Sequence, residues 1–415
     1  MAENISCGIA AHRAKVKAEA EKKNVEYTDE IADYLAGLNN TKPRPTITQG
    51  EIDEKGYWVR QPNFLITPFG EKEGELKADK DRYIIYWNPG CNWSQRPVIV
   101  RELLGLTDVI KEEKVNHTGV HNKYGWGFPD KKDFKDPVTG VHFLSDLYTN
   151  ADPDYTGRAT TPTFADYREK KAVNNDYHRL TNYLEVQFRK FQPVDAPDLY
   201  PVKFRKEIDE LNDWLFPNIN DGHYRQAFAQ SPEAFNDGQA AFHSALEKLD
   251  ERLATNRFLF GDYITDSDVR AFVSLIKWET DFYINAGPQK KRVSEYKNVW
   301  EYVKELYSIP AFSRYVNRHN NAADDTRGDF SSYIFRIVSK IDLDEFLKSD
   351  HARKALSADP ENLFLKHPEG ETAEEYQTEI SATKWNDRSQ EVRADKNFKL
   401  SVDASINPLK GKLHN

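Results

Sequence analysis

The chain has few cysteines and no long apolar run. Its 415 residues include two cysteines, Cys7 and Cys91, which are far apart and differ in context, so a disulfide scaffold and a four-cysteine zinc site are both excluded. No run of about 18 apolar residues occurs, which excludes a membrane-spanning helix, and the N-terminus lacks the apolar core of a signal peptide. We expect a cytoplasmic protein with no metal site and no membrane contact.

The chain also lacks an excess of positive charge. Its formal net charge is −9, whereas phosphate binding needs a basic surface, so nucleic acid is not an expected partner. What the chain does contain is 39% apolar and 13% aromatic residues, which is enough to fill hydrophobic cores. A chain of this length predicts two or three domains. Small molecules and proteins remain as partners.

Regular structure is first predicted at residues 82–87, RYIIYW, where β-favouring residues end at the turn Asn88-Pro89-Gly90. From Trp93 onward apolar residues recur at helical spacing, and Gly105 marks the end of that helix. Two β-like runs flank the polar DYREKK and predict a hairpin, while residues 178–188 predict a further helix. Residues 80–190 therefore form an α/β unit.

Beyond residue 200 the pattern changes to long helices, because four segments repeat apolar residues every three or four positions. Thr265 and Asp268 resemble a capping box at the start of the third segment, which is a structural role. We predict four regions, bounded as follows: an N-terminal helix and extended arm (1–60), an α/β domain (61–195), an all-helical domain (196–325) and a C-terminal extension, part helical and part irregular (326–415).

Cys91 lies between the first predicted strand and the first predicted helix. A thiol at a helix start faces free backbone N–H groups and the positive end of the helix dipole, and both favour the thiolate. Cys91 is therefore a candidate nucleophile, and Arg96 is placed to add positive potential. The alternative is that Cys91 only packs, since free cysteine is among the most buried residue types. No second cysteine lies three residues on, which leaves monothiol chemistry.

Several stretches of the chain, in order over residues 60–320, resemble one known family. The family is the Xi-class glutathione transferases, the glutathionyl-hydroquinone reductases. The resemblance implies a thioredoxin-like N-terminal domain joined to an all-α C-terminal domain, which is the glutathione transferase fold, and a homodimer. The stretches that carry it are CNWSQR, GWGF, YTNADPDYTGRATTP, VNND, NDGHYRQAFAQ and LDERLATNRFLFGDYITDSDVRAF.

The resemblance also assigns a chemical role to Cys91. The family motif Cys-Pro-Trp-Ala falls on Cys91-Asn92-Trp93-Ser94. In the family this cysteine attacks the sulfur of a glutathionylated hydroquinone, releases the hydroquinone, and is left as a mixed disulfide that a second glutathione resolves. Tyr224 matches the acid/base group at the aromatic substrate. The aromatic-substrate pocket then includes Trp93 and Phe282, with Tyr283 beside it.

Glutathione is the co-substrate that the resemblance implies. The matching positions are Trp126, Arg158, Thr160, Thr161, a cis Pro162, Asp176 and Tyr177. Without the resemblance, a trans peptide bond before Pro162 is the expectation. Asp176 and Tyr177 stand where the family has a Glu-Ser pair that holds the γ-glutamyl end. Here the chain departs from the family, because Asp is shorter than Glu and Tyr does not imitate serine.

Three functions follow from these observations. The leading one is a thiol-dependent reductase acting on quinol-type thioethers, with a small thiol and an aromatic compound as its partners. A second keeps the fold but uses Cys91 to remove thiols from mixed disulfides, as a glutaredoxin does. A third is a non-catalytic binding protein on the same scaffold. The departure from the family at Asp176 and Tyr177 is the observation that suggests it.

Overall fold

The structure is a computed structural model of the chain. It describes residues 14, 17–18, 21–22, 52–60, 63–117, 126–128, 131–132, 135–155, 157–282, 289–316, 347 and 350–372. The five described residues before position 52 are helical. Tyr283, assigned above to the aromatic-substrate pocket, lies outside the described residues, as does much of the predicted C-terminal extension.

The described residues form six strands in two sheets. The larger sheet has the order β2-β1-β5-β6, with β2 parallel to β1 and the other two pairs antiparallel. The smaller sheet pairs β3 with β4. The bounds are β1 Tyr83–Trp87, β2 Lys111–Lys114, β3 Asn116–His117, β4 Trp126–Gly127, β5 Thr163–Asp166 and β6 Lys171–Asn174.

The helices divide between the two halves of the chain. Three accompany the sheet, and the others follow it. None of those within the described ranges is both long and apolar enough to cross a membrane. The bounds are α1 Asn92–Leu103, α2 Leu144–Ala151, α3 Leu180–Val186, α4 Arg205–Leu215, α5 Gly222–Ala227, α6 Pro232–Leu253, α7 Asp266–Lys277, α8 Lys297–Tyr307 and α9 Pro310–Ser313.

Strand β1 lies in the middle of the sheet, and all five of its residues are buried. Successive side chains of a strand point to opposite faces, so both faces of this strand are covered. Tyr83 and Ile85 belong to the apolar cluster that contains residues of α1 and α3. Ile84 and Tyr86 belong to a second cluster with residues of α2. The continuous apolar run therefore predicted this central strand correctly.

Four elements of the α/β half, β2, β3, β4 and α2, were not predicted from the sequence. Strand β2 consists of Lys111, Glu112, Glu113 and Lys114, so it has no apolar period, and its pairing with β1 alone makes it a strand. Helix α2 has only eight residues and lies in a stretch that we took as polar. The interpretation of residues 80–190 with one early helix and one after the hairpin was therefore incomplete.

The second half is helical, as predicted. Two of its segments continue beyond a regular helix into π-helical turns, Phe216–Asn220 after α4 and Trp278–Phe282 after α7. At the start of α7, the Asp268 carboxylate accepts a hydrogen bond of 2.7 Å from the N–H of Thr265, which agrees with the predicted structural role. The order, an α/β unit followed by helices, is that of the glutathione transferase fold.

A buried polar network joins the two halves. Arg270 of α7 pairs with Asp266 at 2.5 Å and donates to the carbonyl of His178 at 2.8 Å. Asp266 in turn accepts from Thr181 of α3 at 2.8 Å. Buried charges require such partners, so the network sets how α7 sits against the α/β half. This packing brings α7 and its neighbour α5 to the start of α1.

Candidate active site

Asn88 holds the turn that presents Cys91. The carbonyl of Asn88 accepts from the N–H of Cys91 at 2.9 Å, and its side-chain oxygen accepts from Gly90 at 2.7 Å. Its amide nitrogen donates to the carbonyl of Val115 at 2.6 Å. Because each polar group of Asn88 is used, the turn has a defined geometry. Cys91 follows as the residue that precedes the first turn of α1.

The thiol of Cys91 is buried, with 8% of the residue exposed. Its Sγ donates to the carbonyl oxygen of Thr161 at 3.4 Å and makes no capping hydrogen bond to α1. The predicted position at a helix start is thus correct, whereas the expected facing of helix N–H groups is replaced by a contact with Thr161. The Thr161–Pro162 peptide bond is cis, as the resemblance implied.

Tyr224 of α5 lies beside this thiol. Its hydroxyl is 3.5 Å from Oδ1 of Asn92, and the amide nitrogen of Asn92 donates to Ser274 of α7 at 3.0 Å. Burial raises the pKa of the Tyr224 phenol, and the neighbouring Cys91 raises it further, while Arg60 lowers it. The net pKa lies well above its ordinary value, so the phenol carries its proton at neutral pH.

Aromatic rings surround Trp93, which directly follows Asn92. Its ring centroid is 5.0 Å from Tyr177, 5.4 Å from Phe216 and 6.3 Å from Tyr224. Phe282, from the π-helical turn after α7, is 6.2 Å from Tyr224. The structure therefore groups three predicted site residues around the N-terminal start of α1: Trp93, Tyr224 and Phe282.

Arg60 was not predicted, yet it lies inside this aromatic cluster. Its guanidinium carbon is 4.4 Å from the ring centroid of Tyr224 and 4.8 Å from that of Trp93. Burial disfavours the charge, but Asp221 and the neighbouring phenols outweigh it and raise the pKa of Arg60. The sequence predicts an N-terminal helix and an extended arm over residues 1–60, and it singles out no site residue there. The one local signal is an arginine two residues after Trp58, and that pattern is not specific.

His223 was also missed. Its ring stacks on Phe282 with centroids 3.6 Å apart and planes 8° apart. Burial, then Lys277 and Arg60, lower the pKa of His223 to about 3, so the imidazole is neutral at neutral pH. No sequence pattern distinguishes this histidine from a surface one.

Arg96 is buried rather than exposed to solvent. Its Nη2 donates to the carbonyl of Tyr177, and its guanidinium carbon is 5.3 Å from the Trp93 ring. Burial and the neighbouring Arg270 lower the pKa of Arg96 to about 9, so it remains charged at neutral pH. The positive potential that we expected from Arg96 is therefore present close to the start of α1.

The predicted glutathione-binding residues are spread over a larger area. Thr160 and Thr161 precede Pro162 beside Cys91, and the Thr160 hydroxyl accepts from Asn175 at 3.3 Å. The Asp176 carboxylate follows β6 and accepts from the N–H of His178 at 3.1 Å.

The other three predicted positions lie in different surroundings. The Tyr177 ring packs against Trp93 and Phe216. Trp126, in β4, packs against the apolar cluster on the α2 face of the sheet. The carbonyl of Arg158 accepts from Tyr155, a member of that same cluster, at 2.9 Å. Thr160, Thr161 and Pro162 are thus the predicted glutathione positions that adjoin the thiol.

Comparisons with known proteins show which family the chain is similar to. Residues 232–305 match the model of the glutathione S-transferase C-terminal domain. Over 246 residues the chain is 32% identical to glutathionyl-hydroquinone reductase YqjG of Escherichia coli, which covers 59% of this chain and 74% of that protein. This relative is similar over most of its own length.

Solved structures give the same result. The Xi-class glutathione S-transferase of Phanerochaete chrysosporium has a TM-score of 0.62 at 27% identity, covering 66% of this chain and 90% of that one. The glutathione-bound structure of YqjG from Escherichia coli has a TM-score of 0.55 at 30% identity, covering 63% and 86%. The chain therefore belongs to the glutathionyl-hydroquinone reductases, the Xi class of the glutathione transferases.

Proposed function

We propose that this protein removes glutathione from glutathionyl-hydroquinones through a mixed disulfide on Cys91. The observation that carries the proposal is the position of Cys91, whose sulfur contacts Thr161 beside the protonated phenol of Tyr224 and the ring of Trp93. A nucleophile, an acid and an aromatic surface are the three parts that this reaction requires. The name of the Escherichia coli relative states the same reaction.

In the first step the Cys91 thiol gives its proton to solvent, and the thiolate attacks the sulfur of the substrate thioether. A disulfide forms between Cys91 and the glutathionyl sulfur, and the bond from that sulfur to the ring carbon breaks. When the ring is in its ketone form, with a proton already on that carbon, the electron pair passes to the ring oxygen. The product is then a phenolate, and Tyr224 supplies the proton that makes it a hydroquinone.

In the second step a free glutathione resolves the mixed disulfide. Its thiol returns a proton to Tyr224, and the resulting thiolate attacks the sulfur of the bound glutathionyl group. Oxidised glutathione leaves, and the Cys91 thiolate is restored. Each cycle thus converts one glutathionyl-hydroquinone and one glutathione into hydroquinone and oxidised glutathione.

The residues beside the thiol support glutathione as the co-substrate. Thr160, Thr161 and Pro162 adjoin Cys91, and in our proposal they pair with the backbone of the glutathionyl group. Trp126, Arg158, Asp176 and Tyr177 stay predictions for the rest of that molecule. A homodimer and a cytoplasmic location also stay predictions.

The test is a comparison with and without free glutathione. Without it, wild-type protein is expected to release about one hydroquinone per chain and to gain the mass of one glutathionyl group on Cys91. With it, turnover continues and oxidised glutathione accumulates. Cys91→Ser is expected to lose both the single release of hydroquinone and the turnover with glutathione. Cys7→Ser, which removes the other thiol, is expected to retain both activities.

A panel of substrates and thiols separates the alternatives. Release of thiol from a mixed disulfide, with no release of hydroquinone, would replace the proposal with a glutaredoxin-like activity. Adduct formation with a different small thiol in preference to glutathione would change the co-substrate. Full activity of Cys91→Ser would rule out the mechanism altogether.

A further inference from the structure

Arg60 has no part in the two steps above, although it lies against the residues that perform them. Four rings surround its guanidinium: Tyr224 at 4.4 Å, Trp93 at 4.8 Å, Tyr177 at 5.6 Å and Trp58 at 5.7 Å. Cations favour the faces of aromatic rings, and Tyr and Trp bind them well. The positive charge is thereby held beside the rings of Trp93 and Tyr224.

The hydrogen bonds of Arg60 are incomplete. Its Nε and Nη2 donate to one oxygen, Oδ1 of Asp221, at 2.9 and 2.5 Å. Within the described ranges Nη1 donates to no residue, and the Arg60 side chain is 11% exposed, while that of Asp221 is fully buried. A partly accessible N–H of a charged group, aimed among aromatic rings, is free to bind an acceptor on a ligand.

Trp93 provides a second unused donor at the same place. Its indole N–H is buried and has no hydrogen-bond partner of good geometry in the part of the chain that the structure describes. It is still near enough to the Tyr224 hydroxyl to lower the pKa of that phenol. The Trp93 N–H therefore lies close to the Tyr224 hydroxyl and is available to a ligand oxygen bound there. A ligand oxygen near Tyr224 would pair with both the indole and the guanidinium.

We propose that Arg60 and the indole N–H of Trp93 form an oxyanion site for the ring oxygen of the aromatic substrate. The inference rests on the proposed function, because that reaction places a negative charge on this oxygen when the thioether bond breaks. Donors fixed in advance stabilise such a charge more in the transition state than in the bound substrate. The enzyme would thus select aromatic thioethers that leave as phenolates.

The same site explains why an ion pair is kept among rings. A buried ion pair adds little stability over apolar residues of similar volume, since desolvation offsets the attraction. The pair of Arg60 with Asp221 is therefore poorly explained by stability alone. A guanidinium that keeps an N–H not occupied by Asp221 can still donate a charge-assisted hydrogen bond to a second anion.

The decisive variant replaces both partners, Arg60→Met with Asp221→Asn, so that neither leaves an unpaired buried charge. A matched control, Arg82→Met with Asp166→Asn, removes another arginine and aspartate pair, 2.6 Å apart, at the point where β1 begins and β5 ends. Each is assayed on a glutathionyl-hydroquinone and on a mixed disulfide of glutathione with a small aliphatic thiol. The second substrate uses Cys91 but expels no phenolate.

We expect the Arg60 and Asp221 variant to lose about 100-fold in kcat on the glutathionyl-hydroquinone, which is the usual cost of an oxyanion donor. On the mixed disulfide it should stay within about threefold of wild type, as should the control variant on both substrates. It should also bind ionised 4-nitrophenol at least about tenfold more weakly, with binding of uncharged 4-nitroanisole unchanged.

Two results would overturn the inference. Equal losses on both substrates would make Arg60 a structural residue, and an unchanged kcat on the glutathionyl-hydroquinone would leave it without a role in the reaction. Both differ from failure of the proposed function, in which wild-type protein itself does not release hydroquinone. If the Arg60 and Asp221 variant does not fold, Trp93→Phe, which keeps the ring and removes the N–H, should reduce kcat on the thioether alone.

Discussion

Two segments outside the α/β sheet and the main helices, residues 52–60 and 350–372, each bring one buried arginine to the helical half. Residues 52–60 form a tight loop around Gly56, closed by a bridge between Ile52 and Trp58, and they pack on the start of α6. Residues 350–372 pack at the other end of α6, where Arg353 donates to the carbonyl of Leu253. The N–H of Asp198 donates to the carbonyl of Leu365 in the same segment at 2.9 Å. The two arginines nevertheless have different roles.

Arg353 uses all three of its nitrogens. Nε and Nη2 donate to the carbonyl of Arg257 at 3.2 and 2.7 Å, and Nη1 donates to Leu253 at 3.0 Å. Leu253 is the last residue of α6, so Arg353 satisfies carbonyl groups that the helix end leaves free. Arg60 instead has an unused N–H among aromatic rings. Both residues are arginines on the helical half, so residue type does not separate them. What separates a structural arginine from a candidate site residue is whether all of its N–H groups have hydrogen-bond acceptors within the protein.

The largest expected effect is on stability, from Arg353→Met. This change leaves several buried carbonyls without donors, so we expect the free energy of unfolding to fall by about 3 kcal/mol. Activity per folded molecule should stay within about twofold, because Arg353 touches no predicted site residue. Urea unfolding and kcat/KM measure the two quantities.

Lys354→Met is the control for that experiment. Lys354 pairs with Glu361 at 3.0 Å on the surface, where its side chain is 56% exposed. Such a pair contributes little, so the change should be below about 1 kcal/mol. A loss of activity in Arg353→Met without a loss of stability would show that Arg353 is not a structural residue.

Lowering the pH is expected to reduce the free energy of unfolding through His223, which lies near Arg60. The pKa of His223 is about 3 in the folded protein, because of burial first and then of Lys277 and Arg60, while an unfolded histidine titrates near 6.5. The unfolded chain therefore binds the proton first as pH falls. Stability is complete above pH 6.5 and decreases below it, by about 2 kcal/mol at pH 5 from this residue.

The measurement compares wild type with His223→Phe, which keeps a flat ring on Phe282. Unfolding free energies at pH 7 and pH 5 should differ less in the variant, by about 2 kcal/mol, since the other histidines are common to both proteins. Equal pH dependence in the two proteins would show that His223 does not titrate in this way.

The smallest expected effect comes from Gly56→Ala. Gly56 has φ +86°, and a Cβ there would come within 2.9 Å of backbone atoms of Gln230 and Ser231. The loop must shift, which moves Arg60, so we expect about a tenfold lower kcat on the glutathionyl-hydroquinone and a stability loss of about 1 kcal/mol. If kcat is unchanged while stability falls, Arg60 does not depend on this loop.

Gly74→Ala is the matched control for the loop. Gly74 has a similar φ, +83°, but a Cβ there meets nothing within 4 Å. Both variants therefore carry the same backbone strain, and only Gly56→Ala adds a collision. A similar loss of kcat in the two would indicate a general effect of strain on the fold.

Much of the fold could be predicted from local patterns. The buried strand β1, the turn at Asn88, helix α1 and the hairpin of β5 and β6 all follow from residue period and turn residues. Strand β2 could not, because four charged residues become a strand only through pairing with β1. The π-helical turn that carries Phe282 also could not, since it continues the period of α7 without a visible break.

The candidate site was only partly predictable. The resemblance pointed to Tyr224, which lies 132 residues from Asn92 in sequence and 3.5 Å from it in space. It offered nothing for Arg60, His223 or Phe216. Each of these reaches the site through packing between segments that are distant in sequence, such as Arg60 on Tyr224 and Phe216 on Trp93. No spacing along the chain predicts such a contact.

By itself, the sequence determined that Cys91 stands between a buried strand and a helix, because side-chain period and turn chemistry act over a few neighbouring residues. Only the tertiary structure decided what surrounds that sulfur. It turned Tyr177 toward Trp93 and brought Arg60 from a preceding loop to the face of Tyr224. Contacts between distant segments depend on how whole elements pack, and a guanidinium gains its binding role from the groups that this packing leaves unpaired.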